Sequence, residues 1–111
     1  MADIVLQLSG KPFRWDVAKN ARLIEERRIS FEEIVLAIGQ NGLLDVFRHP
    51  NSRRYPNQLV LVVAVRGYAY AVPFVEDDAC LFLKTIVPSR KATRSYLGHG
   101  HEIEDPPDAG G

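Results

Sequence analysis

Two stretches of this sequence gather side chains able to hold or act on an anion. One is His49, Arg53, Arg54 and Tyr55; the other is Lys84, Arg90, Lys91, Arg94 and Tyr96. Histidine has its pKa nearest neutrality, so His49 could give or take a proton. Its simpler role is a turn residue in "HPN". Lys84 interrupts an apolar run and shares a face with Phe82 and Ile86 by period two. A lysine on a sheet face is costly unless its amine reaches water or an anion. Arg90, Lys91 and Arg94 fall near the start of a short helix, where the dipole opposes cations. An anion bound there would remove the penalty. Arg90 and Arg94 share a helix face and Lys91 is offset. From the residues alone, the ligand is something negative, or these are merely solvated cations.

Composition narrows the class. A chain of 111 residues, 46% hydrophobic and 25% charged, suits one soluble domain. The single cysteine, Cys80, excludes an internal disulfide and opens an apolar run, so it reads as a buried small hydrophobe. No run is long enough for a membrane span and no basic leader is present, so the expected location is cytoplasmic. There is no glycine-rich phosphate loop, Ser-His-Asp spacing or Cys/His set, so neither metal nor cofactor is expected. Asp77-Asp78 reads as a turn. The zero net charge hides an asymmetry. Setting aside the four acids of 102–108 leaves ten acids against fourteen Lys and Arg, about +4. Neither Arg48–Arg66 nor Lys84–Arg94 contains an acid.

The elements that must position these groups follow from local signals. Asp16 can cap a helix over "DVAKNARLIEERR", with Val17, Ala21 and Ile24 as its buried stripe. Ser30 and Glu33 form a capping box for a second helix, with Phe31, Ile34 or Val35, and Ile38 inward. Gly39 or Gly42 ends it. "LLDVFRH" is a short strand, followed by a Pro/Asn-rich loop. "QLVLVVAV", apolar on both faces, is a central strand. Arg66-Gly67 is a two-residue hairpin turn. The returning strand places Tyr68, Tyr70, Val72 and Phe74 on one face, as core or as base-stacking rings, and Pro73 costs it a ladder donor. "CLFLKTIV" is the last strand and Ser89 caps the helix "RKATRSYL". The fold class is α+β: two N-terminal helices, a four-stranded antiparallel meander and a short C-terminal helix, with helices on one face. Residues 1–12 would be an arm or edge strand, 13–97 one domain, and 98–111 a disordered acidic tail containing His99 and His101.

"FRWDVAKN" and "SFEE", in this order and spacing, resemble the opening of BrnT-type toxins of bacterial type II toxin–antitoxin modules. The matching residues are Phe13, Trp15, Asp16, Lys19 and Asn20, then Ser30, Phe31, Glu32 and Glu33. "SRKATR", Ser89 to Arg94, is similar to the family's basic closing segment. Glu26-Arg27-Arg28 stands where the family usually has Lys-His-Gly, and the loop "RHPNSRRYPNQ" also departs from it. The resemblance implies a RelE-like fold and a metal-independent endoribonuclease that arrests translation. It also implies an antitoxin partner with a ribbon-helix-helix domain. Such cleavage needs the 2′-hydroxyl deprotonated, the leaving oxygen protonated and the phosphorane charge stabilised. On that basis His49, Lys84, Arg90 and Arg94 are the expected catalytic groups, and Arg53, Arg54, Tyr55, Lys91 and Tyr96 the expected RNA-binding groups. A non-catalytic interaction protein or a nucleic-acid-binding module of the same fold are the alternatives.

Overall fold

The valine-rich run Gln58–Val65 lies in the interior of a sheet, paired along its length with Tyr68–Glu76 on one side and with Leu43–Arg48 on the other. In this computed structural model, which describes residues 10–51 and 53–98, the elements run β1 (Phe13–Trp15), α1 (Val17–Arg27), α2 (Phe31–Gly39), β2 (Leu43–Arg48), β3 (Gln58–Val65), β4 (Tyr68–Glu76), β5 (Leu81–Leu83), β6 (Val87–Pro88) and α3 (Arg90–Leu97). Of the expected arm over 1–12 and tail over 98–111, residues 1–9 and 99–111, with His99 and His101, lie outside the described residues. Among the described residues the fold is α+β, with three helices and a mixed sheet in the order β1-β5-β4-β3-β2. The expected antiparallel meander is present as β2-β3-β4-β5. The structure adds β1, parallel to β5, and β6, antiparallel to β4.

Strand β1 lies just before the Asp16 cap, where no strand was expected. Its alternation turns Phe13 and Trp15 inward and Arg14 outward. Trp15 stacks on Phe31 at 5.6 Å between ring centroids.

Helix α1 does not bury the expected stripe. Val17 is 80% and Ile24 48% exposed, and Ala21 is exposed too; Asn20 and Leu23 face inward. The reason is polar. The Asn20 amide oxygen accepts the Phe31 backbone N–H at 2.8 Å, and its nitrogen donates to Glu32 at 2.7 Å. That satisfies a first-turn donor of α2 that would otherwise be unpaired. The donation from the Asn20 side-chain nitrogen is the main cause that holds the Glu32 carboxyl below its ordinary range. At the far end of α1, Arg27 donates to the Ile86 carbonyl at 2.6 Å.

Helix α2 has the expected capping box at Ser30 and Glu33, and buries Phe31, Ile34 and Ile38. It ends at Gly39, but the positive φ beyond it belongs to Asn41, at 69°. Gly42 is needed for close approach. A Cβ there would stand 2.7 Å from the Ala37 carbonyl oxygen and 2.9 Å from that of Ala64.

The core lies between α1, α2 and one sheet face. It contains Leu61, Val63, Val65, Val72, Phe74, Leu81, Leu83 and Ile86. Tyr68 is buried at its margin and Tyr70 packs against it, so neither offers an open stacking face. Arg66 and Gly67 turn the β3–β4 hairpin with φ of 52° and 78°. Arg66 is held there by the Glu33 carboxylate and by donating to the Arg28 carbonyl at 3.0 Å.

The expected last strand is broken in two. Pro73 turns its carbonyl toward this strand, where it accepts from Lys84 N at 2.8 Å. Its missing N–H therefore faces the same way, and the ladder fails beside it. The register with β4 shifts by one residue between Leu83 and Val87. Lys84 thus stays exposed beside Phe82, while Ile86 turns into the core, against the expectation of one shared face. The turn before β5 is an Asx turn. The Asp77 carboxylate accepts from Ala79 N at 2.7 Å and Cys80 N at 2.8 Å, and the Cys80 and Ala79 donors hold it below the ordinary carboxylate range.

Helix α3 packs on the other face of the sheet, so the helices are not all on one side. Ala92, Ser95 and Tyr96 stand over Val62 and Ala71. Small residues at Ala69 and Ala71 give the helix room. Ser89 N donates to the Ala69 carbonyl at 2.9 Å. The fully buried Thr93 hydroxyl accepts from Ala69 N at 2.9 Å and donates to the Ser89 carbonyl at 2.7 Å. One threonine thereby closes the ladder that β6 leaves open. No helix among the described residues is long and apolar enough to cross a membrane.

Candidate nucleic-acid interface

On the α3 face a groove of about 460 Å³ runs between that helix and β2. Its floor is Val62 and Ala71. One wall is Asp45, Phe47 and Pro50, and the other is Ser89, Lys91, Ala92, Ser95 and Tyr96. Asp45 and Phe47 project together because they are two apart on a strand. A register shift between Leu43 and Asp45 marks a bulge just before them. The Asp45 carboxylate accepts from Val46 N at 2.8 Å and from the Tyr96 hydroxyl, which joins the two walls.

That bond raises the Tyr96 pKa above its ordinary 10.0, with burial next and the Asp45 charge last. The folded protein therefore keeps a proton that an unfolded tyrosine loses near pH ~10. The contribution of the pair to stability is complete below that pH and is lost as pH rises through the higher folded value. In an ultraviolet titration of tyrosinate, the component removed by Tyr96→Phe should ionise later than free tyrosine, and Asp45→Asn should bring it back toward ~10. An unshifted Tyr96 component in the parent protein would show that the bond is absent.

Beside the groove, His49, Asn51, Arg54 and Tyr55 are tied together by turn hydrogen bonds. Asn51 N donates to His49 Nδ1 at 3.0 Å, Arg54 N donates to Asn51 Oδ1 at 3.3 Å, and Tyr55 N donates to the Asn51 carbonyl at 3.0 Å. Because Nδ1 accepts, the ring proton sits on Nε2. The His49 and Tyr55 rings lie 4.6 Å apart, and the Arg54 guanidinium stands 5.6 Å from the Tyr55 centroid. Both the turn reading of His49 and its clustering with basic and aromatic neighbours are thus present together. Arg53 and Arg54 are exposed.

The expected site residues are divided. Lys91 and Tyr96 line the groove, and Arg54, Tyr55 and His49 form the cluster beyond Pro50. Arg90 and Arg94 occupy another face of α3 and do not line the groove. Lys84 lies across the sheet, its amine 5.5 Å from the Phe82 ring. Strands β5 and β2 are three spacings apart, about 14 Å at about 4.8 Å each. The four expected catalytic groups are therefore not gathered in this groove.

Asp45 and Phe47 were missed by sequence reasoning. The available signal was a lone acid in the apolar strand "LLDVF". Chemically, the groove can stack a planar ring on aromatic side chains, hold an anion through Lys91, and accept hydrogen bonds at Asp45. Among the described residues, no group of three or more His, Cys, Asp or Glu is placed to hold a metal ion. No protein-family model, curated protein or solved structure matches the chain.

Proposed function

We infer that the protein binds single-stranded RNA across the α3 face, as the toxin component of a bacterial type II toxin–antitoxin module acting in the cytoplasm. One observation carries the binding half of this reading. The groove between β2 and α3 has exposed Phe47 and Tyr96 and the cation Lys91 at its walls, and beyond Pro50 it is continued by exposed Arg53, Arg54 and Tyr55. Cations tracking a backbone, with aromatic rings for the bases, are the usual means of holding a single strand. From β5 to β2 the sheet is about 14 Å across, about four nucleotides at a stacked spacing of about 3.4 Å.

Cleavage without metal, and the RelE-like identity of the fold, rest on the resemblance to BrnT-type toxins. On this reading His49, as its imidazolium, gives a proton to the leaving 5′-oxygen while water takes the 2′-hydroxyl proton, and Lys84, Arg90 and Arg94 act on backbone phosphates outside the groove. The ribbon-helix-helix antitoxin has a surface to meet in Val17, Ala21 and Ile24, the apolar stripe that α1 leaves exposed. The dispersed catalytic candidates favour one alternative, a protein of the same fold that binds without cutting.

Expression in a bacterium separates the two. A toxin arrests growth, fragments RNA, and loses both effects when the adjacent reading frame is co-expressed. Full expression with intact RNA would rule out the nuclease and leave the binding protein.

A further inference from the structure

We propose that the α3 groove reads a guanine base, with Asp45 as the specificity-determining group. The proposal rests on the RNA-binding reading and names the nucleotide that the groove would select.

One Asp45 oxygen accepts from Val46 N and the other from the Tyr96 hydroxyl, so its plane is set from both sides. Each carboxylate oxygen can accept a second bond. Two acceptor positions therefore remain side by side at the wall of the groove. Guanine alone among the RNA bases offers two adjacent donors, N1–H and the N2 amine, on its Watson–Crick edge. Adenine and cytosine place one amine beside a ring acceptor. Uracil places its single N–H between two carbonyl oxygens, which a carboxylate repels. Unstacked bases in single strands are commonly read on this edge.

The surroundings suit a flat ring. The floor is apolar, at Val62 and Ala71, and Phe47 and Tyr96 flank it, each about 40% exposed. Lys91 stands at the rim, where it can meet the phosphate of the same nucleotide. A volume of about 460 Å³ is within the range of small-ligand sites. Tyr96 is a positioning residue in this arrangement: its hydroxyl aims Asp45 and its ring stacks.

The test uses the whole protein and 5′-fluorescein-labelled uridine octamers with guanine, inosine, adenine or uracil at the fifth position, followed by fluorescence anisotropy. Inosine lacks only the N2 amine. The guanine octamer should bind about tenfold more tightly than the inosine octamer, with adenine and uracil weaker still. Asp45→Asn offers one donor and one acceptor, so it should lose the guanine-over-inosine preference and shift relative affinity toward adenine. Equal, salt-sensitive binding of all four by the unaltered protein overturns the base reading and leaves RNA binding standing. Failure to bind any octamer overturns both. Guanine preference that survives Asp45→Asn removes Asp45 from the role. The unaltered protein with guanine and inosine decides the matter even where the variant does not fold.

Discussion

Replacing Arg53, Arg54 and Lys91 together by glutamine should weaken single-stranded RNA binding about a hundredfold at low salt while leaving the fold intact. Each cation that meets a phosphate at about 4 Å is worth about 1 kcal/mol in water. Three such contacts give about 3 kcal/mol, or about two decades in affinity. All three side chains are exposed, so the effect on stability should stay within about 0.5 kcal/mol. Arg54 also lies against Tyr55, so its loss should loosen the stacking cluster as well as remove a charge. Glutamine at three cations of α1 and its C-cap, Lys19, Arg22 and Arg28, serves as the control. If the control variant loses as much affinity as the test variant, the RNA does not lie on the α3 face.

Thr93→Val, although near-isosteric, should lower unfolding free energy by about 1–3 kcal/mol. The side chain is fully buried, and its hydroxyl is the acceptor for Ala69 N and a donor to the Ser89 carbonyl. Valine keeps the shape and strands a buried N–H, which is the costly kind of loss. For a domain of this size, each kcal/mol moves the thermal midpoint by about 4–8 °C. Thr93→Ser keeps the hydroxyl and should cost less than valine. Because α3 carries Lys91 and Tyr96, the valine variant should also lose RNA affinity while still folded. Urea titration checks the first effect. A valine variant as stable as the parent would mean that α3 is held by something else.

Much of the fold could be read from sequence because its signals are local. The Ser30–Glu33 box, the Ser89 and Asp16 caps, the Arg66-Gly67 turn and the valine-rich β3 each depend on residues a few positions apart. What could not be read depended on neighbours distant in sequence. The helical period of α1 located the element but not its inward side, because Asn20 is drawn in by the backbone of Phe31. Strand β1 is three residues long, too short for a period to show. The break between β5 and β6 needs the pairing of Pro73 with the strand beside it. The site divides the same way. The loop and the last helix stand out by composition, whereas Asp45 and Phe47 join them only because the sheet places β2 opposite α3.

The exposed stripe of Val17, Ala21 and Ile24 follows from the same cause. The inward side of α1 is fixed by a polar tie, so its more apolar side is left at the surface. The helix is therefore anchored to the fold through Asn20, Leu23 and Arg27, and its opposite side remains available to a partner.

The salt dependence of RNA binding by the unaltered protein is the most direct test of this account. With a labelled single-stranded octamer, log affinity should fall linearly with log salt concentration, by about 0.7 for each phosphate neutralised. The glutamine triple variant should show a slope shallower by about 2. Binding with no salt dependence, or an identical slope in the triple variant, would contradict an RNA backbone held by the 49–57 loop and α3.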